Sequence, residues 1–233
     1  MFEPLPFSQT DFSGRVRLFP LPNLVLFPHV MQPLHVFEPR YQSLLLDALR
    51  KDRLITMATL APGWETDYEG QPPLYPIACL GHVTTYHRLD DGTFNVLLSG
   101  LCRVRLVREL STQRKFREAE GVLLEDVYPS SPVDDGQLKA RLRDGFLRII
   151  PLVREAQEQL DQLLAGDIAL GVLVDIISYM LNISLAKKEA LLAELDVVRR
   201  AEMVLAHLEA AAQSSAGPLE LDVGTFPPQF SLN

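Results

Sequence analysis

Cysteine is nearly absent from this chain, with only Cys79 and Cys102 among 233 residues. A small secreted scaffold held by disulfides needs more bridges than one pair allows. Both cysteines lie inside apolar, strand-like runs and read as buried free thiols of a protein in the reducing cytoplasm. The five histidines show no H-E-x-x-H spacing. His82 and His87 fall at odd spacing on an expected strand, so they point to opposite faces. No zinc set assembles from these residues, and no metal is expected. The G-x-x-x-x-G-K-[ST] loop that cradles nucleotide phosphates is missing, and its nearest approach, Gly166–Gly171, lacks the lysine. No G-x-S-x-G elbow occurs. Ser184–Lys187 has S-x-x-K spacing without the companion S-D-N and K-T-G elements, and Ser184 reads instead as a helix cap. The carboxylates are scattered and cannot be paired from sequence. No catalytic residue and no cofactor are assigned.

Long apolar runs are also scarce. The longest, Ile168–Leu181, is interrupted by Asp175 and Ser178. As a helix it would span about 21 Å, against about 30 Å for a bilayer core, so it reads as a buried core helix. The opening MFEPLPFSQTDFSG has no basic stretch followed by an apolar one, so it does not read as a signal peptide. Positive charge is the minority sign: 22 Lys and Arg stand against 30 Asp and Glu, a net charge of −8. That balance disfavours generic nucleic-acid binding, leaving only a local basic patch to support it. A cytoplasmic protein without a membrane segment is expected.

What is present is an ordinary core-forming composition, 47% hydrophobic and 22% charged. Through residue 130 the pattern is mostly strands. Arg15–Phe19 opens it, and Pro20, Pro22, Pro28 and Pro33 then cut the chain into short extended pieces. A helix begins at Pro39 behind acidic Glu38, with Tyr41, Leu44, Leu45, Ala48 and Leu49 on one face. Leu54–Leu60 is the next strand. Ile77–Leu89 and Thr93–Ser99 flank Asp90-Asp91-Gly92, a strong hairpin signal. After Gly100, Cys102, Val104 and Leu106 alternate with Arg103 and Arg105, which predicts a half-buried strand with a basic outer face. A last strand runs over 118–128. The chain from Val133 turns helical. Leu138, Leu142, Phe146, Ile149, Ile150 and Val153 recur at helical spacing towards Leu164, with a kink at Pro151. Gly166 and Asp167 make a stop and an N-cap, Ser184 and Asp196 open two further helices, and 213–233 reads as an extended tail. The expected organisation is an antiparallel barrel subdomain over 1–130, a helical bundle over 131–212, and the tail.

Two segments are candidate sites. Residues 61–75, APGWETDYEGQPPLY, form a long aperiodic connection carrying Trp64, Tyr68 and Tyr75. Its rings either fold back onto the barrel wall or stay available as anchors for a partner. The second is the basic cluster Arg103, Arg105, Arg108, Arg114, Lys115 and Arg117, set against Glu109 alone. It reads either as a solvated strand face or as a site for an anionic partner, with Arg103, Arg105, Arg108 and Arg117 as contacts. Phe116 alone interleaves it, a weak stacking platform for single-stranded RNA.

The order of RLFPLPNLVLFPHVMQPLHVFEPRY (17–41), IACLGHVTTYHRLDDGTFNVLLSGLCRVRLVREL (77–110) and SLAKKEALLAELDVVRRAEMVLAHL (184–208) resembles the Lon protease N-terminal domain. The family's opening Pro-Leu and Phe-Pro elements match Pro20–Pro28. The strand before its helix matches the slightly divergent Gln32–Phe37, and its late G-x-x-R strand matches Gly100–Arg103. The likeness covers roughly 15–210. It implies an α+β fold: a PUA-like antiparallel β pseudo-barrel with one inserted helix, followed by a C-terminal α-helical bundle. It also implies a substrate-recognition role without the ATPase or the Ser–Lys peptidase that lie downstream in full-length Lon, hence relationship to that peptidase by ancestry and not by activity. The implied partner is an unfolded or flexible polypeptide, with a separate protease or chaperone as a further candidate. Cereblon-like adaptors share the barrel, but their zinc-bearing module has no counterpart here. The alternative is an RNA- or nucleotide-binding protein using the cluster at 103–117. The amphipathic helices are compatible with a dimer, and no residue specifies one.

Overall fold

The computed structural model describes residues 7, 12–68, 70–129, 135–149 and 168–213. Six strands come first: β1 (Arg15–Leu21), β2 (Met31–Val36), β3 (Leu54–Thr59), β4 (Ile77–Arg88), β5 (Phe94–Leu110) and β6 (Glu118–Leu124), with helix α1 (Pro39–Leu49) between β2 and β3. They form one mixed sheet in the order β2-β5-β4-β3-β1-β6, and an additional β5–β6 pairing joins its far end back to β5. Five strands therefore close a ring, and β2 hangs on the first half of β5. This is possible because β5 is 17 residues long. Phe94–Ser99 pairs with β2, and Arg103–Leu110 pairs with β6.

The expectation of an all-antiparallel barrel needs correction, because β1 and β3 are parallel. The chain leaves the ring at β2 and returns through α1. A helical crossover delivers the next strand in the same direction as the one before it, where a tight hairpin reverses it. The hairpin at Asp90-Asp91-Gly92 does form. Leu89 N–H donates to the Thr93 carbonyl at 2.9 Å, and Gly92 takes φ 86°, a left-handed conformation suited to glycine. Gly100 does not end a strand as its composition suggested. It lies within β5 because a Cβ there would sit 2.1 Å from the Phe27 carbonyl oxygen, so only glycine allows that approach.

Small residues fill the ring: Val16, Leu18, Ala58, Ala78, Leu80, Val104 and Ala119 form its own buried cluster. Larger side chains pack outside it. α1 starts with Glu38 at the N-cap and Pro39 in the first turn, and buries Tyr41, Leu44, Leu45 and Ala48. Its Tyr41 ring stacks on Phe19 at 4.2 Å, and the hydroxyl donates to the Pro20 carbonyl at 2.9 Å.

The C-terminal helices are α2 (Asp135–Ile149), α3 (Leu170–Met180), α4 (Leu185–Ala193) and α5 (Val197–Gln213). Leu138, Leu142 and Phe146 of α2 are buried in the same core as Ala201, Val204, Leu205 and Leu208 of α5. Asp196 caps α5 as expected, its Oδ1 accepting from the Val198 and Arg199 amides at 3.0 Å each. Ser184 does take the N-cap position of α4, but its hydroxyl makes no capping bond. Only its carbonyl accepts there, from the Lys187 and Lys188 amides. The kink at Pro151, the stop at Gly166, the cap at Asp167 and the tail beyond Gln213 lie outside the described residues.

Strands and helices are joined by a buried ionic latch. Arg103 of β5 makes a bidentate pair with Asp175 of α3, at 2.9 and 2.6 Å, and donates through Nε to the Leu192 carbonyl of α4 at 2.8 Å. Arg200 of α5 reaches Asp126 in the same way, at 3.0 and 2.7 Å. Two guanidiniums thus meet two carboxylates, and the group is neutral as a whole. Beside it Val127 pairs in parallel with Asp196.

Candidate functional site

The connection between β3 and β4 is shorter in effect than its length suggested. Leu60 bridges Leu74, Ala61 N–H donates to the Pro73 carbonyl, and Tyr75 N–H donates to the Thr59 carbonyl. The excursion is thereby pinned at its base. Gly63 (φ 94°) turns the chain into a short 3-10 segment, Trp64–Thr66. Trp64, Tyr68 and Tyr75 are all half-buried.

Trp64 and Tyr68 meet edge to face, with centroids 5.6 Å apart. Tyr68 is held at the start of α1 and not on the ring wall. Its hydroxyl donates to Glu38 Oε1 at 2.9 Å, while Arg40 Nε donates to Glu38 Oε2 at 2.9 Å. The Arg40 guanidinium carbon lies 4.7 Å from the ring centroids of both Tyr41 and Tyr68. Burial, reinforced by the Glu38 carboxylate, raises the Tyr68 pKa, so the phenol stays protonated and serves as a donor. Tyr75 makes no ring contact with this stack among the described residues.

Arg40 also borders a cleft of about 230 Å³ between α1, the Gly70-Gln71 turn and the β5–β6 connection. Arg114, Lys115 and Arg117 line its other side, with Tyr41 and Phe116 as apolar neighbours and Glu109 as the one carboxylate among the described lining residues. Arg117 donates to Glu109 Oε2 at 2.8 Å and to the Pro72 carbonyl at 2.9 Å, tying the aromatic excursion to the basic connection. Arg114 pairs with Asp47 at 2.5 Å and with Glu118 at 3.3 Å. Burial alone would raise the Asp47 carboxyl. Hydrogen bonds from Arg17, Arg114 and Lys51 instead hold it far below the usual carboxylate range, so it stays ionised.

Charge around the cleft does not balance. Glu38, Asp47, Asp52, Glu109 and Glu118 face Arg15, Arg17, Arg40, Lys51, Arg114 and Arg117 in ion pairs, and Lys115 has no ion pair among the described residues. Asp67 likewise has no ion pair and accepts from the Gln71 amide at 3.2 Å, so among these described residues cations outnumber carboxylates by one, on a chain whose net charge is −8. Arg40 Nη2 is enclosed and has no hydrogen-bond partner.

The four arginines read as one anionic-partner site do not converge. Arg103 is on the outer side of the ring, as the alternation predicted, but that side is covered by α3 and α4. It is 2% exposed and fully engaged in the latch. Arg108 pairs with Glu120 across β5 and β6, Arg105 stands exposed on β5, and only Arg117 reaches the cleft. The residue that sequence reasoning missed is Arg40. A cation in the first turn of a helix opposes the helix dipole, so a tertiary reason for it was inferable. Neither its partner Glu38 nor the neighbouring rings mark themselves by spacing.

A second cavity, about 290 Å³, lies beside the latch and is lined by His29, Cys102, Asp126 and Tyr128. Burial pushes the Cys102 thiol up to about 11, which leaves it protonated and a poor nucleophile. No group of His, Cys, Asp and Glu suited to a metal ion occurs among the described residues. No described helix is long and apolar enough to cross a membrane.

A mixed sheet closed into a ring, with helices latched to its outer side, defines an α+β domain that carries an open cleft of rings and cations. The chain belongs to the family of the ATP-dependent protease La (Lon) substrate-binding domain, which matches residues 15–210. It is 26% identical over 198 residues to Lon protease 2 of Myxococcus xanthus, covering 85% of this chain and 24% of that protein. It is 29% identical over 188 residues to Lon protease of Xanthomonas oryzae, covering 81% and 22%. The chain thus spans about a quarter of the length of these relatives. Its fold is that of the crystal structure of a Lon N-terminal domain protein from Xanthomonas campestris, with a TM-score of 0.60, 23% identity, and coverage of 82% of this chain and 97% of that one. It is likewise that of the N-terminal domain of Mycobacterium avium complex Lon protease, with a TM-score of 0.66, 15% identity, and coverage of 84% and 98%.

Proposed function

We propose that this protein recognises unfolded or flexible polypeptide segments and does no chemistry of its own, acting as an adaptor in the cytoplasm. Family membership supports substrate recognition as the role. The observation that carries the site is the Trp64–Tyr68–Arg40 stack standing at the mouth of the cationic cleft. Half-buried aromatics fixed on a rigid base lose little entropy when a chain docks on them, which suits them as anchors. Tyr68 is the positioning member, since its hydroxyl is already engaged by Glu38. Trp64 is the contact surface, and Tyr75 belongs to the base of the excursion. With this reading goes a division at 130 into a PUA-like pseudo-barrel and a helical bundle, the latch holding the two as one body.

Reading the protein as an RNA binder through Arg103, Arg105, Arg108 and Arg117 loses its support, because Arg103, Arg108 and Arg117 already serve internal carboxylates. The deciding test is fluorescence anisotropy of the purified protein against a labelled unfolded polypeptide and a labelled single-stranded RNA, at two salt concentrations. Polypeptide binding that Trp64→Ala weakens is the expected result. RNA binding that collapses with salt, without polypeptide binding, would overturn the proposal.

A further inference from the structure

We infer that the cleft beside Arg40 is a carboxylate subsite, so that the polypeptide segments bound here are selected for an acidic residue close to an aromatic or aliphatic one. The inference rests on the polypeptide reading and names the substrate class of that same site.

Three observations carry it. The described residues lining the cleft include Arg40, Arg114, Lys115 and Arg117 against Glu109, while the chain as a whole is acidic. An arriving carboxylate therefore finds a local attraction that the rest of the surface does not supply. One of these cations is not answered from within. Lys115 is exposed and has no ion pair among the described residues. Lastly, Glu109, the one carboxylate among the described lining residues, is held by both Nε and Nη2 of Arg117 and does not compete for Lys115.

Geometry sets the spacing of the recognised pattern. Arg40 lies 4.7 Å from the Tyr68 ring centre, and Trp64 lies 5.6 Å from it. The two ends of the site are therefore within about 10 Å, the reach of three residues of extended chain. A segment with Glu or Asp about three residues from Phe, Leu or Ile fits its apolar side chain on Trp64 and its carboxylate in the cleft.

The test uses the whole protein and an unstructured fluorescent peptide carrying Phe and Glu three residues apart, compared with the same peptide in which Gln replaces Glu. The glutamate peptide binds about tenfold more tightly, the worth of one charge-assisted hydrogen-bonded contact, and the preference shrinks with added salt. Lys115→Gln, at an exposed position that leaves folding intact, removes most of that preference and barely alters affinity for the glutamine peptide. Equal binding of the two peptides, with Trp64→Ala still weakening both, overturns the carboxylate subsite and leaves the polypeptide reading standing. Failure of both peptides and of unfolded polypeptide to bind overturns both. A single-stranded RNA that displaces the peptide and loses affinity in Lys115→Gln assigns the cleft to phosphate and likewise overturns the inference.

Discussion

Replacing Arg103 by alanine tests how the two halves of the protein are held. The side chain is 2% exposed and makes the bidentate pair with Asp175, a longer contact of 3.3 Å with Asp126, and the bond to the Leu192 carbonyl. Its removal strands Asp175, whose side chain is 1% exposed. Arg200 answers it only in part. Its Nε lies 3.2 Å from Asp175 Oδ1, yet the N–H is not aligned for a hydrogen bond. Breaking a buried pair costs about 3–5 kcal/mol, and the low end applies here because Arg200 stays beside Asp175. A domain of this size loses roughly 2–4 °C of Tm per kcal/mol, so a fall of about 10 °C is expected. The double variant Arg103→Met with Asp175→Leu removes both charges together and should recover most of the loss, because an apolar pair of similar volume is close to neutral in such a place. Urea unfolding followed by Trp64 fluorescence, which reports on the strands, and by far-UV circular dichroism, which reports mainly on the helices, measures both halves. The two transitions should coincide in the parent protein and separate in Arg103→Ala. A single variant within about 1 kcal/mol of the parent, or a double variant worse than the single, would refute the latch.

Gly100→Ala should cost at least about 3 kcal/mol, seen as a shift in the urea midpoint, because the new methyl meets the Phe27 carbonyl and backbone cannot yield as a side chain can. Burial raises the Glu189 carboxyl from its ordinary 4.5 to about 7, and its Oε1 has no hydrogen-bond partner. The folded protein thus holds this proton longer than the unfolded chain does. Its contribution to stability is complete below about pH 4.5, is lost as pH rises, and is fully lost above about pH 7, a change of about 3 kcal/mol. Glu189→Gln should flatten that dependence and be more stable than the parent at pH 8 by urea titration. Asp196→Ala should cost about 1 kcal/mol by the same assay through loss of the α5 cap.

Much of the fold was legible where one local rule suffices. The amphipathic stripe of α1, the Asp-Gly hairpin and the Asp196 cap each follow from a few neighbouring residues. The parallel pairing of β1 with β3 was not legible, since strand direction depends on where α1 delivers the chain and not on the composition of either strand. Arg103 shows the same limit. Alternation placed it correctly on the outer side of the ring, but only tertiary packing decides that helices and not water cover that side. Gly100 read as a break, whereas its absent side chain serves a close backbone approach inside β5. At the candidate site, Trp64 and Tyr68 stood out because aromatics in a long connection are conspicuous. Arg40 and Glu38 did not, because their importance lies in contacts with Tyr68, 28 and 30 positions away.

Polypeptide recognition at the aromatic and cationic cleft is tested most directly by mapping amide chemical shifts of the labelled protein as unfolded polypeptide is added. Perturbations concentrated at 64–71 and 110–117, together with the first turn of α1, are the expected result. Perturbations confined to another surface, or none at saturating polypeptide, would contradict the assignment.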